Sequence, residues 1–355
     1  MTPISATDYS IVFNEDAYSE LNVLLQKKNY SKIFILVDEN SNENCLPLFL
    51  PNLATEIAFE IIELESGEIN KNIHTCTEVW SVLTELGADR KSVILNLGGG
   101  VITDLGGFIA STFKRGIDFI NIPTTLLGMV DASVGGKNGV DLGTLKNQIG
   151  TITNPQMVVV DTRFLATLPQ NQMRSGLAEM LKHGLIFDKE YWNQFLDLQQ
   201  LDASQLDTLI HRAIVIKNEI VQKDPTENGI RKALNFGHTL GHAIESYFLE
   251  NDSKKTLLHG EAIAVGMILE SYLSLENKLI ASNEYFQIKE TIKSIFDTIE
   301  IAETDLTPIC DLLIHDKKNE YGKVQFALLD GIGAVKINQE ATTDVIMSAF
   351  NDYKS

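Results

Sequence analysis

The sequence predicts an α/β amino-terminal half built on a mostly parallel sheet, followed by a mainly α-helical half. Three observations carry that prediction. Short β-branched apolar runs alternate with amphipathic stretches up to Asp161, and from Gln170 onward the strand signals give way to long helical periodicities. Of the 355 residues, 44% are hydrophobic and only 22% charged, so a large buried core is available and a disordered or low-complexity chain is excluded. At roughly 100–200 residues per domain the length gives two domains. They are expected at 1–169 and 170–355, divided at Leu168-Pro169-Gln170, where proline punctuates a turn.

Lys32–Asp38, Ala58–Leu64, Ser92–Leu97, Asp118–Ile122 and Met157–Asp161 read as strands buried on both faces. Between them, Asn72–Leu86 spaces Ile73, Val79, Trp80, Val82, Leu83 and Leu86 as an amphipathic helix does, giving strand-helix alternation and hence parallel pairing. In the second half, Met173–Leu185, Leu206–Gln222, Leu234–Tyr247, Glu261–Leu275 and Glu284–Ile299 read as helices. Lys323–Leu329 and Gly333–Ile337 read as a hairpin closed around Asp330-Gly331. No internal repeat and no Gly/Ser or Pro linker is visible, so the halves are expected to pack directly and leave a cleft, a preferred place for ligands.

With 29 basic and 48 acidic residues the formal charge is −19, which argues against nucleic acid and against an anionic membrane surface as partners. Met1–Ser10 has no basic segment followed by an apolar run, and no stretch of about 18 uninterrupted apolar residues occurs. A cytoplasmic protein acting on small molecules or proteins is expected. Cys45, Cys76 and Cys310 are odd in number and far apart, which suits buried reduced thiols better than disulfides or a cysteine-based zinc site.

After the Ser92–Leu97 strand comes Gly98-Gly99-Gly100, then Val101 to Asp104, then Gly106-Gly107 and an apolar helix. Glycines at a strand-to-helix turn let backbone N–H groups approach a pyrophosphate, and the helix dipole adds to the attraction. The segment is not G-x-G-x-x-G, because Thr103 stands at the third glycine, and it lacks the Lys-Ser/Thr pair of a nucleotide-hydrolysing loop. A tight turn that merely needs glycine is the alternative. Asp38 and Asn40, just beyond an earlier strand, are candidates to accept hydrogen bonds from a ribose.

His238 and His242 are four apart, so on a helix their imidazoles share a face. His259 opens another helix, and Glu179 lies in Gly176–His183. Histidines and a carboxylate with one open position make a catalytic zinc arrangement, and Gly176, Gly237, Gly241 and Gly260 would give room for metal and substrate. Core histidines are the alternative, since the internal Glu of the zinc-protease motif is missing. Lys137, Lys146, Lys182, Lys217 and Arg231 fall beside these segments; singly each reads as a surface charge, whereas clustered they would hold a doubly anionic substrate in an acidic protein.

The ordered set Gly98–Asp104, Ile122–Leu127, Val130–Lys137, Lys146-Asn147, Leu168-Pro169, Gly176–Lys182, Leu234–Glu245 and His259–Glu261 resembles the 3-dehydroquinate synthases, members of the sugar phosphate cyclases, over nearly the whole chain. The resemblance implies a Rossmann-like amino-terminal domain that binds NAD and a helical domain that binds a divalent metal, usually zinc, with cobalt an alternative. The implied reaction turns 3-deoxy-D-arabino-heptulosonate 7-phosphate into 3-dehydroquinate and phosphate, on the route to chorismate and aromatic amino acids. It implies Glu179, His238 and His259 as metal ligands and moves His242 to the substrate side as an acid/base group, against what spacing alone suggests. Lys137, Lys146, Asn147, Lys182, Lys217, Arg231 and Asn235 match substrate positions, and Arg115 matches a phosphate-binding one, in its own site or a neighbouring subunit's. Asp38, Asn40, Glu68, Lys71, Gly99, Gly100, Val101, Asp104, Thr124, Thr125, Asp131, Lys137, Lys146 and Thr167 match cofactor positions, and Lys317 or Lys318 would add one contact. A homodimer is the family habit. Leu145 stands where the family usually has Gly, Asp141 where it usually has Asn, and the segment between His242 and His259 is longer by a few residues than the family's.

The implied chemistry is oxidation, β-elimination of phosphate, reduction, ring opening and aldol closure, with NAD regenerated in each cycle. Rival readings are a cyclase for another sugar phosphate and a metal-dependent alcohol or glycerol dehydrogenase of related fold. The dehydrogenase would have no need of Lys137, Lys146-Asn147, Lys182 and Arg231, because a neutral polyol brings no phosphate. A non-catalytic NAD-binding module would leave both the metal set and the proton-transfer set unexplained.

Overall fold

The computed structural model describes residues 1–143, 145–197, 203–313 and 324–355, with the side chains of 203 and 204 excepted. The chain forms two compact units, Met1–Met173 and Arg174–Ser355.

The first unit holds β1 (Ile4–Ser5), β2 (Ser10–Phe13), α1 (Asn14–Lys28), β3 (Ile33–Asp38), α2 (Glu39–Asn44), α3 (Leu46–Phe49), β4 (Phe59–Leu64), α4 (Ile73–Glu85), β5 (Val93–Gly98), α5 (Gly100–Thr112), β6 (Asp118–Pro123), β7 (Lys137–Leu142), β8 (Leu145–Ile152) and β9 (Met157–Val160). Seven of these strands make one sheet in the order β1-β2-β9-β6-β5-β3-β4. Its pairings are parallel except β1 with β2. The Val/Ile/Leu runs of β3, β5 and β9 are buried along almost their whole length, as strands covered on both faces must be. In β4 only Ile62 is buried, and Phe59 and Ile61 are exposed. The expectation of burial on both faces fails there because β4 is the last strand of the sheet.

From β3 the chain goes to β4 on one side and then returns to β5 on the other, so its direction reverses between β3 and β5. The crevice outside the carboxyl ends of such strands is where open α/β sheets hold ligands. Phe34, Leu36, Val79, Leu83, Ile94, Leu105, Ile109 and Phe119 fill the layer between sheet and helices. Each contributes about 1.5–3 kcal/mol of apolar burial.

β7 and β8 form a separate antiparallel hairpin that packs on α5. Gly107 makes the approach possible, since a Cβ there would lie 1.9 Å from Asn138 Oδ1. The Asn138 amide donates to the carbonyls of Gly136 and Thr153, both at 2.9 Å, and so ties the base of the hairpin.

The second unit holds α6 (Gln170–Phe187) from Arg174 onward, α7 (Lys189–Asn193), α8 (Ala203–Lys223), α9 (His238–Glu250), α10 (His259–Glu276), α11 (Ser282–Ile295), α12 (Glu303–Leu312), the antiparallel pair β10 (Phe326–Leu329) and β11 (Val335–Gln339), and α13 (Thr343–Lys354). The helix expected over Leu234–Tyr247 is broken: a 3-10 segment, Ile230–Asn235, ends before Gly237, whose φ of 78° cannot continue a helix, and α9 starts at His238. Lys323 of the expected hairpin lies outside the described residues. Among the described residues no helix is long and apolar enough to cross a membrane. Cys45 and Cys76 are buried free thiols, pushed by burial up to about 11 and about 12, so neither is a ready nucleophile.

Candidate active site

Parallel register brings several of the expected cofactor residues to one edge of the first unit. Asp38 ends β3, Gly99 and Gly100 follow β5, Thr124 and Thr125 follow β6, and Thr167 closes the 3-10 segment beyond β9. The turn after β5 is glycine-lined for a structural reason. A Cβ at Gly98 would sit 2.6 Å from Ile102 Cβ, one at Gly99 2.9 Å from Thr125 Cγ2, and one at Gly100 3.2 Å from Ala132 Cβ. Gly99 is the N-cap of α5 and no side chain caps the helix, which leaves the α5 dipole and first-turn N–H groups without a local carboxylate or hydroxyl. Such a cradle fits a pyrophosphate.

Asp38 has a local duty as well. Its Oδ1 accepts from Ser41 N at 2.7 Å and its own N–H donates to Ser41 Oγ at 2.9 Å, a capping box that starts α2. Asn40 is exposed in α2, Val101 is half-buried in the first turn of α5, and Asp131 lies half-buried in the turn Gly128–Ala132.

Beside the glycine turn, five expected site residues join one ionic network. Lys71 Nζ contacts Asp104 Oδ2 at 2.6 Å and Asn147 Oδ1 at 2.7 Å, while Lys146 Nζ lies 3.4 Å from Glu68 Oε1. Burial pushes the Lys71 ammonium toward neutrality, but Asp104 and Glu68 outweigh it and hold the lysine charged. One departure near Lys146, Asp141, has a local role, while nothing in the structure explains Leu145. Asn147 is left-handed (φ 52°), a conformation asparagine tolerates, and its N–H donates to Asp141 Oδ1 at 2.6 Å. Burial raises the Asp141 carboxyl despite that bond. Lys137 opens β7 and is exposed.

Arg115 stands apart. It follows the carboxyl end of α5, so a helix of 13 residues, about 20 Å, separates it from the glycine turn. There it lines a surface recess with Arg90, Thr112 and Lys114.

In the second unit the histidines converge. His238 is the first residue of α9, His242 is one turn on, and His259 is the first residue of α10. Their ring centroids are 5.1, 5.5 and 5.7 Å apart, and a nitrogen from each lies within 4.8 Å of the others. Glu179 comes from α6, fully buried: its Oε1 is 3.4 Å from His238 Nε2 and 3.5 Å from His259 Nε2.

Two of the rings are oriented from behind. His238 Nδ1 faces the Phe236 carbonyl at 3.1 Å and His259 Nδ1 faces Glu245 Oε2 at 3.4 Å, so each turns Nε2 toward Glu179. A partner on Nδ1 fixes the tautomer that leaves Nε2 free to ligate. Burial lowers the His259 pKa, but Glu245 and Glu179 outweigh it and bring it up to about 9, a sign that this point attracts positive charge. Two Nε2 atoms and a buried carboxylate oxygen converging on one point fit a divalent metal of the zinc type.

Three of the four glycines expected to give room, Gly237, Gly241 and Gly260, do not leave room for a ligand. A Cβ at Gly260 would lie 2.3 Å from Ser175 Cα, one at Gly241 3.1 Å from the Ala262 carbonyl, and one at Gly237 3.2 Å from Met267 N. They bring helix backbones together, so that α6, α9 and α10 deliver their ligands to one place. Gly260 N–H also donates to Ser175 Oγ at 2.9 Å.

Three expected substrate residues are buried cations: Lys182, Lys217 and Arg231 are each 5% exposed or less. Lys182 is ion-paired with Glu179 one turn away on α6. Arg231 donates from Nη1 to the Pro225 carbonyl at 2.7 Å, and Asn235 Nδ2 donates to Glu227 Oε1 at 3.0 Å. Asp224, which sequence reasoning missed, shapes that loop by accepting from the N–H groups of Asn228, Gly229 and Arg231. Burial pushes its carboxyl up, but these bonds outweigh it and hold it below the usual range. Glu245 was also missed, although it shares the His238/His242 face three residues beyond His242, a signal visible in the sequence. Lys317 and Lys318 lie outside the described residues.

Comparison with known proteins places this geometry. The family described as 3-dehydroquinate synthase N-terminal matches residues 61–175, and 3-dehydroquinate synthase C-terminal matches residues 176–319. A 3-dehydroquinate synthase from Parabacteroides distasonis is 42% identical over 351 residues, covering 98% of each chain. The chain belongs to the 3-dehydroquinate synthase family. Related solved structures extend the likeness to other cyclases. A 2-deoxy-scyllo-inosose synthase complexed with carbaglucose-6-phosphate, NAD+ and Co2+ is 25% identical with a TM-score of 0.86, covering 99% of each chain. A 2-epi-5-epi-valiolone synthase from Streptomyces hygroscopicus subsp. jinggangensis, with NAD+ and Zn2+ bound, is 26% identical with a TM-score of 0.83, covering 100% of this chain and 99% of that one. The 3-dehydroquinate synthase relatives are thus the more similar in sequence, while the two cyclases share the fold.

Proposed function

We propose that this chain converts 3-deoxy-D-arabino-heptulosonate 7-phosphate to 3-dehydroquinate and phosphate, with NAD bound by the first unit, a divalent metal held by Glu179, His238 and His259, and a homodimer as the working form. The observation that carries the reading is the pair of imidazole Nε2 atoms set 3.4 and 3.5 Å from one Glu179 oxygen, each ring held from behind. Family membership and the NAD+ and metal of the related cyclases support it.

When bound, the metal polarises a substrate alcohol and NAD takes up and then returns a hydride. The chain's own residues do the rest. Gly99, Gly100 and the α5 amino terminus bind the pyrophosphate, with Thr124, Thr125, Asp131 and Thr167 along the same edge. Asp38 and Asn40 serve the ribose, and the Glu68–Lys71–Asp104–Lys146 network anchors the nicotinamide side. Lys137, Asn147, Lys182, Lys217, Arg231 and Asn235 hold the phosphate, carboxylate and hydroxyls. The low-dielectric setting of the buried cations strengthens each contact to an anion. His242, beside the proposed ligands on the same face of α9 as His238, holds and moves a proton at a substrate hydroxyl. Arg115, distant from the glycine turn of its own unit, is assigned to the phosphate of the partner's site.

The test is product analysis with the heptulosonate phosphate, NAD and Zn2+ or Co2+. Stoichiometric phosphate and 3-dehydroquinate with no accumulated NADH are expected. Net NADH without phosphate release would replace this reading with a dehydrogenase.

A further inference from the structure

We propose that Glu270 is a positioning residue for His238, acting through the amino terminus of α9. Glu270 lies in the middle of α10, fully buried in an otherwise apolar stretch. Its Oε2 accepts from Gly237 N at 2.6 Å and its Oε1 from Leu240 N at 3.0 Å, the two N–H groups that bracket His238.

The first N–H groups of a helix have no intrahelical partner, and a side chain at the N-cap usually accepts from the second or third. The N-cap of α9 is Gly237, which has no side chain to offer, and its φ of 78° is open to few other residues. The acceptor therefore comes from another helix. That helix is α10, whose first residue is His259. One carboxylate thus accepts from two donors at the start of α9, meets the positive end of its dipole, and fixes the register of α9 on α10. The register sets the 5.5 Å spacing between the rings of His238 and His259. Because the Phe236 carbonyl holds His238 Nδ1, any rotation of that first turn carries Nε2 away from Glu179.

Glu270 is itself fixed along α10. Ser274 Oγ donates to the Glu270 carbonyl at 2.7 Å and accepts from Leu329 N at 3.0 Å, joining the helix to β10. That second link supplies the control, since it belongs to the same helix but does not reach α9.

The inference rests on His238 as a ligand, so the experiment separates the two. The full chain is titrated with Co2+ in competition with a chromophoric chelator, and the Co2+ absorption spectrum and thermal midpoint are recorded. Glu270→Gln puts an NH2 group where an oxygen accepts an N–H. Co2+ affinity should fall about 10–100-fold with an altered spectrum, the usual scale for a group that orients a ligand. Ser274→Ala should lower the midpoint and keep Co2+ affinity within about twofold of the parent chain. If Glu270→Gln does not fold, Glu270→Asp, which keeps the charge and withdraws by one methylene, should show the same altered spectrum with a smaller loss of affinity. Parental affinity and spectrum in the folded Glu270 variant, or an equal loss in Ser274→Ala, would overturn the proposal. His238→Ala retaining full Co2+ affinity would instead overturn the metal assignment on which it rests.

Discussion

Gly266→Ala should damage both stability and metal binding, although alanine is the better helix former. Gly266 lies inside α10, where alanine is ordinarily favoured by about 1 kcal/mol. A Cβ there would lie 1.9 Å from the Gly237 carbonyl oxygen and 2.8 Å from Gly241 N. These obstacles are backbone atoms of the chain at and entering α9, so no rotamer relieves the clash. To restore ordinary contact near 3.4 Å, α9 has to withdraw by about 1.5 Å. Overpacking that side chains can absorb costs about 1–3 kcal/mol. Where only backbone can move, the upper end applies, and after the propensity gain about 2 kcal/mol of net destabilisation remains. For a cooperative unit of this size that is a midpoint lowered by about 4–8 °C. Metal geometry is less tolerant, because ligand distances are held to about 0.2 Å. A shift of His238 by more than that tolerance relative to His259 should weaken metal binding by at least about a hundredfold. Scanning calorimetry and chelator competition measure the two effects. An unchanged or raised midpoint together with metal affinity within twofold of the parent would refute the close-approach argument.

Three further outcomes follow from the same geometry. His242→Ala should keep a full equivalent of metal and lose activity; metal loss in plasma emission analysis would make His242 a ligand. Lys182→Met should lower kcat/KM for the heptulosonate phosphate by about two orders of magnitude, about 3 kcal/mol, with metal content retained, and unchanged kcat/KM in steady-state assays would confine Lys182 to its pairing with Glu179. Asp161→Asn should flatten the acid limb of stability. Burial raises this carboxyl, but Arg163 and Tyr18 outweigh it, so its folded pKa is depressed. Its contribution is therefore complete above the unfolded value of about 3.9 and is lost as pH falls through the lower folded one. Thermal midpoints measured from about pH 2 to 7 should keep a constant gap above about pH 4 and begin to approach each other below it; parallel curves throughout would show that Asp161 is not the responsible group.

The strands legible in the sequence are those buried in the interior of the sheet, since a run such as Ile33–Val37 is apolar at every position. β1 and β2 are too short to show a period, and β7 and β8 carry Lys, Asn, Gln and Gly at positions held by the hairpin's own bonds and by α5. The glycine turn after β5 and the helix start at His259 were legible from local pattern, whereas the start of α9 at His238 was not, because the apolar period runs on from Leu234 through the Gly237 break. What local pattern cannot give is distance across the chain. Nothing in the spacing places Glu179 beside His238, because that contact depends on how closely α6, α9 and α10 pack. For the same reason the glycines near the site suggested open space, whereas the space is occupied by neighbouring backbone. Glu270 left a faint trace, the one acid between Ala262 and Leu275 of a mostly apolar helix, which a reading by periodicity passes over.

The strand order of the first unit also has a consequence for the order in which a growing chain can fold. β2 joins the rest of the sheet only through β9, the last of that sheet's strands to be synthesised, and Tyr18 and Asn14 close their contacts with Asp161 and Thr162 across 143 and 148 residues. A ribosome therefore releases the amino-terminal hairpin long before its partner exists. Closing so long a loop is slow, and until then β2 presents an unpaired edge to whatever lies nearby. A segment made well before the rest of its sheet is thus among the last of that sheet to be seated.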